Sequence, residues 1–299
     1  MTPVVFAFPG HESLAQAVVK AVGGELGTLV LHRFPDGESY VRLDTPVAQR
    51  QAILVCGLRD PDAKLLPLLF AADTARDLGA HEVGIVAPYL AYLRQDTRFR
   101  AGEAVSSVTV GRMVSAVADW IVTVDPHLHR YASLSTVYSI RASVVRAAPL
   151  IAEWVKREVA NPLLIGPDSE SACWVSEVAT QAGAPHLVLQ KSRHGDREVS
   201  VSVPELAQWR EHTPVLVDDI ISTGQTMIET IAQLRRNSLR APVCVGVHAI
   251  FAGDAYAALQ AAGAERIVTC NTIAHPSNVI DVNGAICSAV AALVSAIAT

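Results

Sequence analysis

Short apolar, β-branched runs alternate with longer helical patterns from one end of the chain to the other, and this alternation leaves few folds open. Val4–Ala7, Leu29–His32, Ala52–Val55, Val83–Ala87 and Trp120–Val124 read as one series of strands. Leu163–Ile165, Leu187–Leu189, Val215–Val217, Val243–Val247 and Arg266–Thr269 read as a second. Helices are predicted between them, at Lys64–Leu78, Val105–Ala118, Ala172–Gln181, Met227–Arg236 and Ala255–Ala262. Strands that are apolar throughout, separated by helices, indicate a parallel sheet covered on both faces. The expected class is α/β, built as two tandem units that each hold a mostly parallel sheet flanked by helices. Leu78-Gly79-Ala80, Ala182-Gly183-Ala184 and Ala262-Gly263-Ala264 each close a helix just before a strand, as a glycine C-cap does. The boundary is placed near Val144–Pro149, giving domains 1–145 and 146–299.

At 299 residues the chain suits one large domain or two medium ones. With 51% hydrophobic and 18% charged residues it has ample material for a core and no signature of disorder. A net charge of −5 argues against general nucleic-acid binding, so any anion site must come from local clusters. No apolar run approaches the roughly 18 residues that span a bilayer, and the first residues lack a basic, cleavable leader pattern. Cys56, Cys173, Cys244, Cys270 and Cys287 show no metal-type pairing and mostly sit in apolar runs, as reduced core residues do. A cytoplasmic protein is expected, without nucleic-acid or membrane partners.

The chemistry-bearing motifs all follow strands, where ligands collect in open α/β sheets. In Val215–Thr226 an apolar run ends in Asp218 and Asp219, and Ser222, Thr223, Gly224, Gln225 and Thr226 lead into a helix. Small residues at a helix N-terminus close backbone N–H groups around a phosphate. Paired carboxylates accept hydrogen bonds from a vicinal diol. Phe34-Pro35-Asp36-Gly37-Glu38-Ser39 reads, taken alone, as a plain hairpin turn. Arg94 and Gln95 follow the Val83–Ala87 strand, with Arg98 and Arg100 close by. A guanidinium there can clamp phosphate or stack on a base. Asp125-Pro126-His127-Leu128-His129 follows Trp120–Val124. Its H-x-H invites a zinc reading, which is set aside because no further His or Cys lies at suitable spacing. Asp168 after Leu163–Ile165 can bind Mg²⁺ through oxygen or cap the following helix. Lys191 and Arg193 lie in a cationic segment able to close over a phosphoryl group.

Taken in order, F-P-D-G-E, Y-L-R-Q-D, T-V-D-P-H, G-P-D, K-S-R and V-D-D-I-I-S-T-G-Q-T resemble the motifs of the ribose-phosphate diphosphokinase (phosphoribosyl diphosphate synthetase) family, from about Phe34 to Thr272. The last motif is the one shared with type I phosphoribosyltransferases. The resemblance implies two phosphoribosyltransferase-type domains and a homo-oligomer whose active sites, at the domain junction, are completed by a neighbouring subunit. It also implies Mg²⁺-dependent transfer of diphosphate from ATP to ribose 5-phosphate. By position, Asp36, Gly37 and Glu38 would contact ATP from the adjacent subunit, while Arg94 and Gln95 bind the nucleotide. His127 and Asp168 would serve the metal, with Asp125 beside them, and Lys191 and Arg193 would act in catalysis. Asp218 and Asp219 would meet the ribose hydroxyls, and Ser222–Thr226 would cradle the 5-phosphate. The chain departs from the common pattern at Ser169-Glu170-Ser171, Ser222, Gln225 and His129-Arg130-Tyr131. The Ser222 and Asp-Pro-His variants are similar to the shorter, archaeal-type branch. Two other readings remain open on sequence: a phosphoribosyltransferase, and a catalytically silent homologue that regulates a synthetase.

Overall fold

The protein is described from a computed structural model covering residues 2–167, 171–189, 192–194, 198–200 and 206–295. It divides into two compact units. The first runs to Val145 and takes back the C-terminal helix; the second is Arg146–Val282.

In the first unit the chain forms β1 (Val4–Ala7), α1 (Glu12–Val22), β2 (Glu25–Gly27), β3 (Leu29–Arg33), β4 (Ser39–Leu43), β5 (Gln51–Val55), α2 (Asp62–Asp77), β6 (Glu82–Ala87), α3 (Ser106–Val117), β7 (Trp120–Val124) and β8 (Arg141–Val145). The second unit forms α4 (Ala148–Glu158), β9 (Pro162–Gly166), α5 (Ala172–Ala182), β10 (His186–Val188), β11 (Ser192–His194), β12 (Glu198–Ser200), β13 (Thr213–Ile221), α6 (Gln225–Arg236), β14 (Val243–Ala249), α7 (Ala255–Ala262), β15 (Arg266–Cys270) and β16 (Asn278–Ile280). The last helix, α8 (Asn283–Ser295), packs on α1 and so belongs to the first unit. A boundary drawn on sequence leaves it with the second half, because chain order does not reveal where a terminal helix returns.

Each unit has a six-stranded sheet, ordered β2-β1-β5-β6-β7-β8 in one and β10-β9-β13-β14-β15-β16 in the other. Every pairing within both sheets is parallel. Ranked by chain position, both orders read 2-1-3-4-5-6. In both, a two-stranded antiparallel hairpin, β3–β4 or β11–β12, is inserted between the second and third sheet strands. One α/β plan is therefore used twice, as the repeated glycine-closed helix ends suggest. Gly183 and Gly263 do end α5 and α7 in the left-handed conformation, and Gly79, with φ 82°, follows the end of α2.

Central strands are buried along their whole length: β5, β6, β7 and β14 have no exposed position. This is the burial of a sheet with helices on both faces. Edge strands β2 and β8 expose Glu25, Leu26, Arg141 and Ala142. Their mixed composition hides them from a search for apolar runs. Leu29–Arg33 differs from expectation in its partner. It pairs antiparallel with β4 and stays out of the sheet, because a five-residue turn lets two strands meet only as a hairpin.

Behind the end of β1, His11 Nε2 accepts a hydrogen bond from the Gly57 N–H at 2.8 Å, while Lys64 donates to the Gly57 carbonyl at 3.2 Å. Burial holds the His11 imidazole below its ordinary value of 6.5, so the neutral ring is favoured by folding. The unfolded chain then binds more protons than the folded one as pH falls through that region, and stability must fall with it. The expected outcome is a melting temperature that is level above about pH 7 and declines below about pH 6.5. His11→Gln, which keeps an acceptor that does not titrate, should flatten that decline in a scan of Tm against pH.

Among the described residues, no helix is long and apolar enough to cross a membrane. Cys56, Cys244 and Cys270 are buried, and burial pushes the Cys56 and Cys244 thiols up to about 12. Such thiols stay protonated and unreactive at neutral pH.

Candidate active site

In the second unit the strand order reverses between β9 and β13, the point at which ligands settle in open α/β sheets. The motif expected to bind a sugar phosphate leaves β13 there. The strand runs further than predicted, to Ile221, so Asp218 and Asp219 lie within it and not beyond it. The Asp218 carboxylate accepts a hydrogen bond from the Asp219 N–H at 3.0 Å, and both side chains are half-buried. Asp218 lies opposite Gly246 of β14. Ser222 and Thr223 then turn the chain into Gly224, whose φ of 70° is left-handed. Gly224 is the N-cap of α6, and its carbonyl accepts from Ile228 N–H at 2.9 Å. The first N–H groups of a helix have no intrahelical partner. The loop thus offers donors and a positive dipole end next to two carboxylates, a pairing suited to a phosphate joined to a polyol.

The loop after β9 carries Asp168, which lies outside the described residues, as do Ser169, Glu170 and Lys191. Ser171 is the N-cap residue of α5. Arg193 sits in β11, its backbone paired with Val199 of β12.

In the first unit, the Arg94–Asp96 loop follows β6 and the Asp125–His129 loop follows β7, the neighbouring strand. The structure brings these two loops together through groups that sequence reading left without a role. Asp96 is buried, and Arg130 Nη1 lies 2.9 and 3.1 Å from its two carboxylate oxygens. The Tyr131 hydroxyl donates to the Asp96 carbonyl at 2.9 Å and lies 2.8 Å from Ser107 Oγ. Ser107 in turn holds the Gln95 carbonyl, by its N–H at 3.4 Å and its hydroxyl at 3.3 Å. Arg94 is left exposed at the surface of a loop fixed from beneath, and Gln95 is half-buried. Arg98 is engaged with the Glu103 carbonyl at 2.9 Å.

Asp125 is buried, with a left-handed φ of 30°, and its N–H donates to the Val145 carbonyl at 3.0 Å. Non-glycine residues held this way concentrate at functional sites. His127 Nδ1 lies 3.1 Å from His129 Nε2, with the rings edge to face.

Asp36, Gly37 and Glu38 form the exposed tip of the β3–β4 hairpin. Gly37 has φ 96°, Phe34 N–H donates to the Glu38 carbonyl at 2.8 Å, and Glu38 N–H donates to Asp36 Oδ1 at 3.2 Å. The plain hairpin reading is correct for its geometry.

Two sheets of identical strand order, one ending in an acidic strand and small-residue loop, define a tandem phosphoribosyltransferase-type α/β protein. A family model for the N-terminal domain of ribose phosphate pyrophosphokinase matches residues 3–117, and one for the phosphoribosyl transferase domain matches residues 133–283. The ribose-phosphate pyrophosphokinase of Methanopyrus kandleri is 34% identical over 96% of this chain and 98% of its own length. Those of Sulfurisphaera tokodaii and Halobacterium salinarum are also 34% identical, over 85% and 88% of this chain and 88% and 91% of theirs. The crystal structure of phosphoribosylpyrophosphate synthetase from Mycobacterium smegmatis superposes with a TM-score of 0.86 over 99% of this chain and 100% of that one, at 23% identity, which shows a common fold. The chain belongs to the ribose-phosphate pyrophosphokinase family, and these three relatives are archaeal, as the Ser222 and Asp-Pro-His variants imply.

Proposed function

We propose that this chain transfers the diphosphoryl group of ATP to the 1-hydroxyl of ribose 5-phosphate, giving 5-phosphoribosyl 1-diphosphate and AMP. The observation that carries the reading is the Asp218–Thr226 strand, loop and helix start, set at the switch point of a chain that matches synthetases along nearly its whole length. Asp218 and Asp219 accept hydrogen bonds from the ribose hydroxyls. Ser222, Thr223, Gly224, Gln225 and Thr226 hold the 5-phosphate at the start of α6. Arg94 and Gln95 bind the nucleotide from their braced loop. Asp36, Gly37 and Glu38, exposed on a hairpin, reach the ATP of a neighbouring copy, so that the working form is a cytoplasmic homo-oligomer.

The sugar 1-hydroxyl attacks the β-phosphorus in line. The new O–P bond forms as the bond to the α-phosphate oxygen breaks, AMP departs with that electron pair, and the hydroxyl proton is released. Lys191 and Arg193 place positive charge where the transferring group gathers negative charge. Positioning supplies much of the remainder.

Mg²⁺, bound together with ATP, would neutralise phosphate charge. Asp168, an oxygen donor, suits this hard cation. His127, whose Nδ1 lies 3.1 Å from His129 Nε2, would serve the same metal with it.

Gly224→Ala tests the phosphate loop. A Cβ there would lie 3.1 Å from Leu259 on a left-handed backbone, which costs about 1–2 kcal/mol. The expected result is a KM for ribose 5-phosphate raised roughly tenfold, with ATP binding unchanged. The activity itself is read by ³¹P NMR of the protein with ATP, ribose 5-phosphate and Mg²⁺. AMP together with a new sugar diphosphate supports the assignment. ADP with a sugar bisphosphate means γ-transfer on this fold, and intact nucleotide binding without turnover means a silent homologue.

A further inference from the structure

We infer that Phe251 is a positioning residue for the sugar-phosphate loop: its left-handed backbone, held by its buried ring, aims the Ser222 and Thr223 N–H groups at the 5-phosphate. After β14 ends at Ala249, Ile250 N–H turns back to the His248 carbonyl at 3.0 Å. Phe251 N–H then donates to the Ile221 carbonyl at 2.9 Å, and Ala252 N–H donates to the Ser222 carbonyl at 3.1 Å. In an extended strand successive N–H groups point to opposite sides, so two in a row cannot both reach one neighbour. Phe251, with φ 41°, supplies the departure from strand geometry that swings Ala252 N–H to the same side. A trans peptide is planar, with its C=O and N–H directed oppositely. Drawing the Ile221 and Ser222 carbonyls toward Phe251 and Ala252 therefore turns the N–H groups on the same two peptides, those of Ser222 and Thr223, the other way.

A bulky side chain at positive φ is strained, and such a residue persists only where its surroundings over-determine it. The ring of Phe251 meets that need. Phe251 is 6% exposed, meets Tyr256 of α7 edge to face with centroids 5.2 Å apart, and lies tilted against His275 at 4.5 Å. His275 is itself fixed between β15 and β16. Its Nδ1 accepts from Ser277 N–H at 3.2 Å, and its own N–H donates to Asn278 Oδ1 at 2.9 Å. Filling the core requires only a buried ring, which an ordinary backbone angle can also deliver. The left-handed angle is explained by what it does for the two carbonyls. This role rests on the assignment of ribose 5-phosphate to the Ser222–Thr226 loop, and it accounts for that loop keeping one shape before the ligand arrives.

Two substitutions separate the backbone angle from the ring. Phe251→Ala removes the ring and leaves a residue that resists positive φ, whereas Phe251→Gly removes both the ring and the strain. Calorimetric titration of the full-length protein with ribose 5-phosphate is expected to show affinity about tenfold weaker for Phe251→Ala, and within about threefold of the parent for Phe251→Gly. Both variants should lose stability to denaturant, glycine at least as much as alanine, since both vacate the same space. In steady-state kinetics the loss should fall on KM for ribose 5-phosphate, with kcat and KM for ATP within about twofold of the parent. A purely structural ring predicts that glycine rescues nothing. Unchanged sugar-phosphate affinity in Phe251→Ala, or glycine no better than alanine, would overturn the inference. If neither variant folds by circular dichroism, His275→Ala uncovers one side of the ring and should weaken ribose 5-phosphate binding about threefold, and no change there would count against the role equally. A failure of the synthetase reading appears separately, as a parent that binds ribose 5-phosphate in the titration but forms no sugar diphosphate in the NMR assay. A parent that does not bind ribose 5-phosphate at all would remove the loop's ligand and the role of Phe251 with it.

Discussion

Lys191→Ala is expected to lower turnover by about 10²–10³-fold, with ATP affinity within roughly threefold of the parent. The reason is where the charge changes. The diphosphoryl group is already anionic in bound ATP, and a cation that meets it equally before and during transfer would affect binding more than rate. The segment carrying Lys191 and Arg193 lies between β10 and β13 in the chain, and in the proposed reaction its cations meet charge that builds on the transferring group. Single-turnover kinetics with equilibrium ATP binding separates the two effects. Near-normal turnover in this variant would remove Lys191 from its proposed role, and a loss confined to ATP affinity would make it a binding residue only.

Gly84→Ala is expected to destabilise the first unit by about 3 kcal/mol or more, among the larger effects of a single added methyl group. Gly84 of β6 sits opposite Trp120 of β7, and a Cβ built on it would lie 2.0 Å from the indole Cζ2 and 2.2 Å from Cε2. Trp120 is fully buried, so the ring has nowhere to move without opening the sheet. Chemical denaturation followed by circular dichroism reads the shift in midpoint. Gly284→Ala is the matched control: nothing lies within 4 Å of a Cβ there, it is helical, and the exchange should be neutral or mildly stabilising. A midpoint for Gly84→Ala equal to the control would mean that the β6–β7 packing is looser than described.

Much of this was legible in the chain. Trp120–Val124 and Ala255–Ala262 form where the pattern places them, to the residue. Central strands are easy to read because both faces are buried and every position must be apolar. The elements that escaped reading were the half-exposed ones: edge strands β2, β8 and β16, and α1, α4 and α8. The β3–β4 hairpin was half-seen, since Leu29–Arg33 has a strand's composition but its partner depends on the length of the turn. In the site, the strand–loop–helix around Asp218–Thr226 was visible because all its parts are contiguous. The Asp96–Arg130–Tyr131 brace was not, because its members are separated by more than thirty residues and nothing in either segment names the other.

The sequence by itself determined the α/β class, the twofold use of one plan and the family, since each rests on local periodicity or on short motifs in a given order. Tertiary structure alone decided that α8 returns to the first unit, that Arg130 is spent on Asp96, and that two ring nitrogens face each other at 3.1 Å. The division has a physical cause. Backbone preference and side-chain period act over a few residues, whereas pairing of polar groups is settled by which strands and loops become neighbours once the core has closed.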